Sequence, residues 1–120
     1  MLSRDVFADE MSLTSVDLLE ELRAALDAVE PLIVGRIVDI EMSRLRVLAD
    51  PVLFRREFAS LIESAVADAE PTQSITVRVT RTGKSARINV VNETDGERLD
   101  NVIGSMTLPL APGASSAADG

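Results

Sequence analysis

The chain has 120 residues, enough for one domain, and 46% of them are apolar with three Phe and no Trp or Tyr, so its core must be aliphatic. The absence of Cys and His excludes disulfides, thiolate metal sites, cysteine nucleophiles, an imidazole base and phosphohistidine, and makes the cytoplasm the expected compartment. A formal charge of −8, from 20 acidic and 12 basic residues, opposes nucleic acid, and no apolar run has signal-peptide or transmembrane character, so a soluble protein without a membrane partner is expected.

In chain order, the first structured segment opens at Thr14-Ser15-Val16-Asp17, which supplies a helix cap with an acidic residue in the first turn. Leu19, Leu22, Leu26, Val29 and Ile33 then recur at helical spacing. Pro31 removes a backbone donor and crowds the preceding turn, so this helix either ends near Glu30 or continues past a kink, and Gly35 closes the segment. From Arg36 to Met42 the pattern alternates, with Val38, Ile40 and Met42 on one side and Asp39 and Glu41 on the other, as in a half-buried strand. A short strand is expected at Arg46 to Ala49. Asp50-Pro51 is a helix start, a carboxylate cap followed by proline at the first helical position. The helix carries Phe54, Phe58, Leu61, Ile62, Ala65 and Ala69 on one face and ends at Glu70-Pro71.

Ile75, Val77 and Val79 alternate with Thr76, Arg78 and Thr80, a Gly83-Lys84 turn follows, and Ala86, Ile88 and Val90 continue the alternation. This predicts a hairpin with one buried face. Asn92 to Gly104 is polar and reads as a loop, with a last short strand at Met106-Thr107-Leu108. The expected order, α-β-β-α-β-β and then a final β, makes a two-layer α+β sandwich: a mostly antiparallel mixed sheet covered on one face by two main helices. Residues 1–13 read as a flexible N-terminal segment, 14–111 as the domain and 112–120 as a disordered tail. Length and tail favour a free-standing protein.

Several pieces in this order resemble the catalytic ATP-binding domain of sensor histidine kinases, within the wider group of gyrase-like, chaperone-like, histidine-kinase and MutL-like ATPases. They are Val16-Asp17-Leu18, Leu48-Ala49-Asp50, Ser60-Leu61-Ile62-Glu63-Ser64-Ala65, Ile88-Asn89-Val90-Val91-Asn92 and Gly104-Ser105-Met106-Thr107-Leu108-Pro109-Leu110. The resemblance implies a Bergerat-type fold and, for such a domain, an ATP and magnesium pocket. In that family the second helix carries Asn-Leu-x-x-Asn-Ala, whose asparagines line the phosphate and magnesium side; here Ser60 and Ser64 stand in their places. The family's Asp-x-Gly-x-Gly, whose aspartate accepts from the adenine amino group, becomes Asn92-Glu93-Thr94-Asp95-Gly96. Asn92 retains a carbonyl but adds a donor and loses the charge, and Thr94 places a side chain where the family has glycine. The family's mobile lid and second glycine-rich box are missing, because only Glu97 to Ile103 stand between Gly96 and Gly104.

The resemblance therefore implies a catalytically defective domain, with a vestigial pocket at Ser60, Ser64, Asn92, Thr94 and Gly96, no catalytic residue and no metal ligands. Neither ATP nor magnesium is an expected cofactor. Such a chain would act as a regulatory binding or dimerisation module in two-component-type signalling, its partner a response-regulator receiver domain, a kinase or a second copy. Leu99, Val102, Ile103 and Met106, freed by loss of the lid, are the candidate partner surface, with core packing or self-association as the plainer reading. Two alternatives stand beside this: a genuine ATP-binding domain of a sensor histidine kinase, using Asn92 for adenine and a trans-acting partner, and an unrelated α+β adaptor. Glu20, Glu21, Asp27, Glu30, Asp39 and Glu41 read as solvent-facing charge, and Arg44, Arg46, Arg55 and Arg56 as a basic cluster that either meets an acidic partner or pairs with nearby carboxylates.

Overall fold

A computed structural model describes residues 13–70, 73–94 and 97–112; the side chains of 93–101 are outside the description. Among the described residues the first element is a strand, β1 (Thr14–Asp17), where only a helix cap was expected. Both readings hold in part, because Asp17 ends the strand and its carboxylate also caps helix α1 (Leu18–Ala28), accepting from the Glu20 N–H at 3.3 Å. The strand has no clear alternation to mark it in sequence, with Thr14 and Ser15 exposed and Val16 and Asp17 half-buried. The buried anchors of α1 are Leu18, Leu22 and Ala25, so the apolar stripe starts one residue earlier than the Leu19-based spacing implies.

Pro31 resolves the first helix into two. α1 stops at Ala28, Val29 donates back to the Leu26 carbonyl, and a single turn, α2 (Glu30–Ile33), follows with the proline near its start. Gly35 then takes φ 82°, a left-handed value open to glycine without strain. β2 (Val38–Glu41) and β3 (Arg46–Ala49) lie where the sequence places them. α3 (Pro51–Asp68) begins as expected: Asp50 Oδ1 accepts from Val52 N–H at 3.0 Å and Leu53 N–H at 3.2 Å, and Pro51 occupies a position whose N–H would have no helical acceptor.

β4 (Ser74–Thr82) and β5 (Ser85–Thr94) form the expected hairpin, closed through Gly83 at φ 61°, with uninterrupted register from Thr82↔Ser85 to Ser74↔Glu93. The last element differs from expectation. Asn92 to Gly104 is not a loop: β5 runs to Thr94 and β6 spans Glu97–Pro109, absorbing the short strand expected at Met106–Leu108. The principal sheet has the order β2-β4-β5-β6, with β2 parallel to β4 and the other pairs antiparallel. β1 and β3 form a small antiparallel ribbon, joined to the end of β6 by the Val47↔Leu110 bridge and the Ala111 N–H to Arg46 carbonyl bond.

The helices cover one face, giving the expected two-layer α+β sandwich. Its core combines Leu18 and Leu22 of α1, Phe54, Phe58, Ile62 and Ala65 of α3, and Ile75, Val77, Ile88 and Val90 of the sheet. Phe54 and Phe58, one turn apart, stack with ring centroids 5.8 Å apart, and each fully buried large apolar side chain stabilises the fold by roughly 1.5–3 kcal/mol. Burial is not confined to that face, as the alternation had implied. Thr76 and Val91, paired across β4 and β5 and pointing the other way, are also buried. Residues 1–12 and 113–120, which contain most of the expected flexible ends, lie outside the described residues.

Candidate functional site

The place to look for a site is where the C-terminal half of α3 meets the far ends of β5 and β6. Apolar spacing turns Ile62 and Ala65 of α3 into the core, and this leaves Ser60 and Ser64 on its exposed side. At the end of the helix the regular ladder breaks. Ala69, whose N–H would close the bond to Ala65, donates instead to Val66 at 3.4 Å. The freed Ala65 carbonyl accepts from Nδ2 of Asn92, also at 3.4 Å. This gives a physical reason for the amide at position 92. A helix C-terminus presents partial negative charge and unpaired carbonyls, which suit a neutral donor and repel a carboxylate.

Asn92 is 2% exposed, and its Oδ1 is buried with no hydrogen-bond partner among the described residues. Such an orphaned acceptor costs about 1–3 kcal/mol unless something donates to it. The amide orientation follows from the pairing with Ala65, since reversing it would set two oxygens against each other.

The second feature is the irregularity of β6. Val90 pairs with Gly104 and Val91 with Val102, so Ile103 is one residue too many and the strand bulges there. A further shift lies between Asn92 and Thr94. Gly104 has a steric reason to be glycine: a Cβ there would sit 2.6 Å from Cδ2 of Leu61, so α3 rests directly on the strand. Sequence reasoning missed this contact, although a glycine inside an alternating strand is the signal that marks it.

Of the expected pocket residues, Asn92 and the helix carrying Ser60 and Ser64 are brought together, through Ala65 rather than through the serines. Thr94 lies at the end of β5 opposite Glu97, its side chain outside the description, and Gly96 lies outside the described residues. Of the partner candidates, Val102 is 49% exposed, Ile103 and Met106 are half-buried against the core, and the Leu99 side chain is outside the description. The arginine cluster is largely engaged: Arg44 faces Asp17 and Glu20, Arg46 bonds Ser15, and Arg55 bonds Glu21, which is less exposed than its spacing suggested. Among the described residues no three acidic side chains gather as a metal site, and no helix is long and apolar enough to cross a membrane.

No protein-family model and no curated protein matches the sequence. Solved structures do. A mycobacterial sensor histidine kinase, MprB, superposes with a TM-score of 0.61 at 16% identity, over 72% of this chain and 59% of that one. The nucleotide-free catalytic domain of the histidine kinase ThkA superposes with a TM-score of 0.56 at 17% identity, over 73% of this chain and 63% of that one.

The fold is that of a histidine-kinase catalytic domain.

This histidine-kinase-like chain spans less than two thirds of the length of either neighbour. The ligands of that fold fit it unequally. The orphaned Oδ1 of Asn92 is an acceptor suited to an amino group such as that of adenine. A triphosphate and magnesium would find no comparable set among the described residues, where Ser60 and Ser64 offer only short hydroxyls.

Proposed function

We propose that the chain is a histidine-kinase-like domain without phosphoryl-transfer activity, acting in the cytoplasm as a regulatory binding or dimerisation module in two-component-type signal transduction. The β5–β6 hairpin carries this reading. Phosphoryl transfer depends on positioning the phosphates and excluding water, tasks that a mobile lid performs, and here the backbone continues from strand to strand across the two residues between Thr94 and Glu97. The contact of Leu61 with the Gly104 backbone and the engagement of Asn92 with the end of α3 support the same conclusion, since both draw α3 and the sheet together where a nucleotide would separate them. A partner of this module would be a receiver domain, a kinase or a second copy.

A second reading rests on the unpartnered Oδ1 of Asn92, which favours a domain that still takes an adenine base and borrows the remaining groups from a trans-acting protein. Titration with a fluorescent ATP analogue and magnesium separates the two. The first reading expects no saturable signal up to millimolar ligand. Saturation in the micromolar range, abolished by Asn92→Leu, would establish the second.

A further inference from the structure

The two edges of the principal sheet are built differently. β2, at one edge, is four residues long and presents Asp39 and Glu41 to solvent, charges that discourage pairing with another strand. β6, at the other, is 13 residues long, and residues 101–110 carry no charge in a chain that is 27% charged. β5 lies along one side of it, and among the described residues its other side pairs with β3 only at the Val47↔Leu110 bridge.

Backbone hydrogen bonds fix which groups of β6 face outwards. Leu110 donates its N–H to the Lys84 carbonyl on the β5 side, and Ala111 donates to the Arg46 carbonyl on the opposite side. Strand alternation therefore turns the N–H and carbonyl of Ser105 and Thr107 away from β5. Pro109 shares that orientation but has no N–H, and in the other direction the bulge at Ile103 interrupts the alternation. Gly104 to Leu108 is the open stretch between them.

That stretch complements itself. An antiparallel pair of identical strands with its two-fold axis at Met106 sets Gly104 against Leu108, Ser105 against Thr107, and Met106 against its own copy. A Cβ at Gly104 would meet Leu61 of α3, so Gly104, Met106 and Leu108 lie on the helix-covered face, where Met106 and Leu108 are half-buried. On that face the smallest residue meets a large one and methionine meets methionine. On the other, exposed Ser105 and Thr107 set hydroxyl against hydroxyl, a favourable cross-strand combination. Each Ser105–Thr107 pair also exchanges two backbone hydrogen bonds.

We propose that the β6 edge pairs with the β6 edge of a second copy through Gly104 to Leu108, joining two four-stranded sheets into one. Two chains of charge −8 repel, and an uncharged, self-complementary strand is where they meet with least repulsion. Each copy has one such edge and the acidic β2 edge does not extend the array, so the assembly closes as a dimer. The inference rests on the reading of the chain as a binding or dimerisation module and names a second copy as its partner.

Sedimentation of the full chain over a range of concentrations is expected to show a reversible monomer–dimer equilibrium. Ser105→Pro deletes an outward N–H and no bond to β5, so it should weaken the dimer at least tenfold and leave the urea midpoint nearly unchanged. The chain has no cysteine, so Met106→Cys introduces a single thiol. Facing its own copy in a non-hydrogen-bonded pair, about 4.5 Å away between Cα atoms, it should form an intermolecular disulfide under mild oxidation. Val102→Cys, at a 49% exposed position outside the paired stretch, should not. A chain that stays monomeric at millimolar concentration, a dimer indifferent to Ser105→Pro, or crosslinking through Val102→Cys as fast as through Met106→Cys would overturn the proposal. So would dimerisation seen only after deleting residues 1–12, which would make that segment the occupant of the edge. Nucleotide titration reads a separate event at Asn92. Saturable ATP binding would remove the reading of an inactive module and leave the dimer standing, whereas a monomer would remove the dimer and leave other partners to that module.

Discussion

The two hairpins of the sheet share strand β5 and differ in almost every other respect. Between β4 and β5 the register is uninterrupted from turn to end, and Ile75, Val77, Ile88 and Val90 are fully buried beneath the helices. Between β5 and β6 the register shifts twice, Ile103 bulges, and α3 touches backbone at Gly104. The first hairpin is a scaffold held by apolar burial. In the second, α3 packs directly on strand backbone at the bulge. On the proposed reading, the departure from kinase chemistry begins where that regularity ends, at Asn92.

The largest expected effect lies in the scaffold. Phe58 is wholly buried and stacked on Phe54, and Phe58→Ala should lower unfolding free energy in urea by about 3–5 kcal/mol. At the boundary between the two regions, Asn92→Asp sets a carboxylate against the Ala65 carbonyl. A loss of about 2–3 kcal/mol at neutral pH is expected from the unpaired buried charge. Burial raises the folded-state pKa of the introduced acid, so the folded state binds its proton more tightly than the unfolded chain does. The loss is therefore complete at neutral pH and recedes as pH falls through that raised value; urea midpoints at several pH values check the sign. A variant equally destabilised at all pH values would contradict the assigned contact.

In the second hairpin, Gly104→Ala should cost roughly 1–2 kcal/mol, because the methyl group displaces only the flexible end of Leu61. Adding Leu61→Ala should relieve part of this cost, and a double-mutant cycle reads the coupling directly. The smallest effect concerns the kinase-like positions on α3. Ser60→Asn with Ser64→Asn restores the asparagine pair at exposed sites, and stability should change by no more than about 0.5 kcal/mol. On the proposed reading, nucleotide binding should not appear.

The contrast between the hairpins also explains how much could be read from the sequence. The β4–β5 hairpin, β3 and the start of α3 announce themselves through period-two alternation, a Gly83 turn and the Asp50-Pro51 cap, each a local rule the tertiary structure does not override. The first half of β6 reads as a loop in sequence because it is polar and the bulge at Ile103 breaks the alternation that marks a strand, leaving only Met106–Leu108 legible as one. Its identity comes from pairing with β5, which no local pattern encodes. The same limit applies to the site. The helical spacing that leaves Ser60 and Ser64 exposed is legible in the sequence, whereas the bond from Asn92 to Ala65 and the approach of Leu61 to Gly104 depend on where α3 ends relative to the sheet. β1 was hidden for a similar reason, since Asp17 is both the end of a strand and the cap of a helix.

The central claim is that the region between α3 and the far ends of β5 and β6 is closed against nucleotide. It is tested most directly by following the Asn92 side-chain amide and the Ala65 backbone amide by nuclear magnetic resonance during titration with ATP and magnesium. The account predicts that both signals remain unmoved to millimolar nucleotide. A saturable shift at micromolar concentration, confined to these two groups and their neighbours, would contradict it.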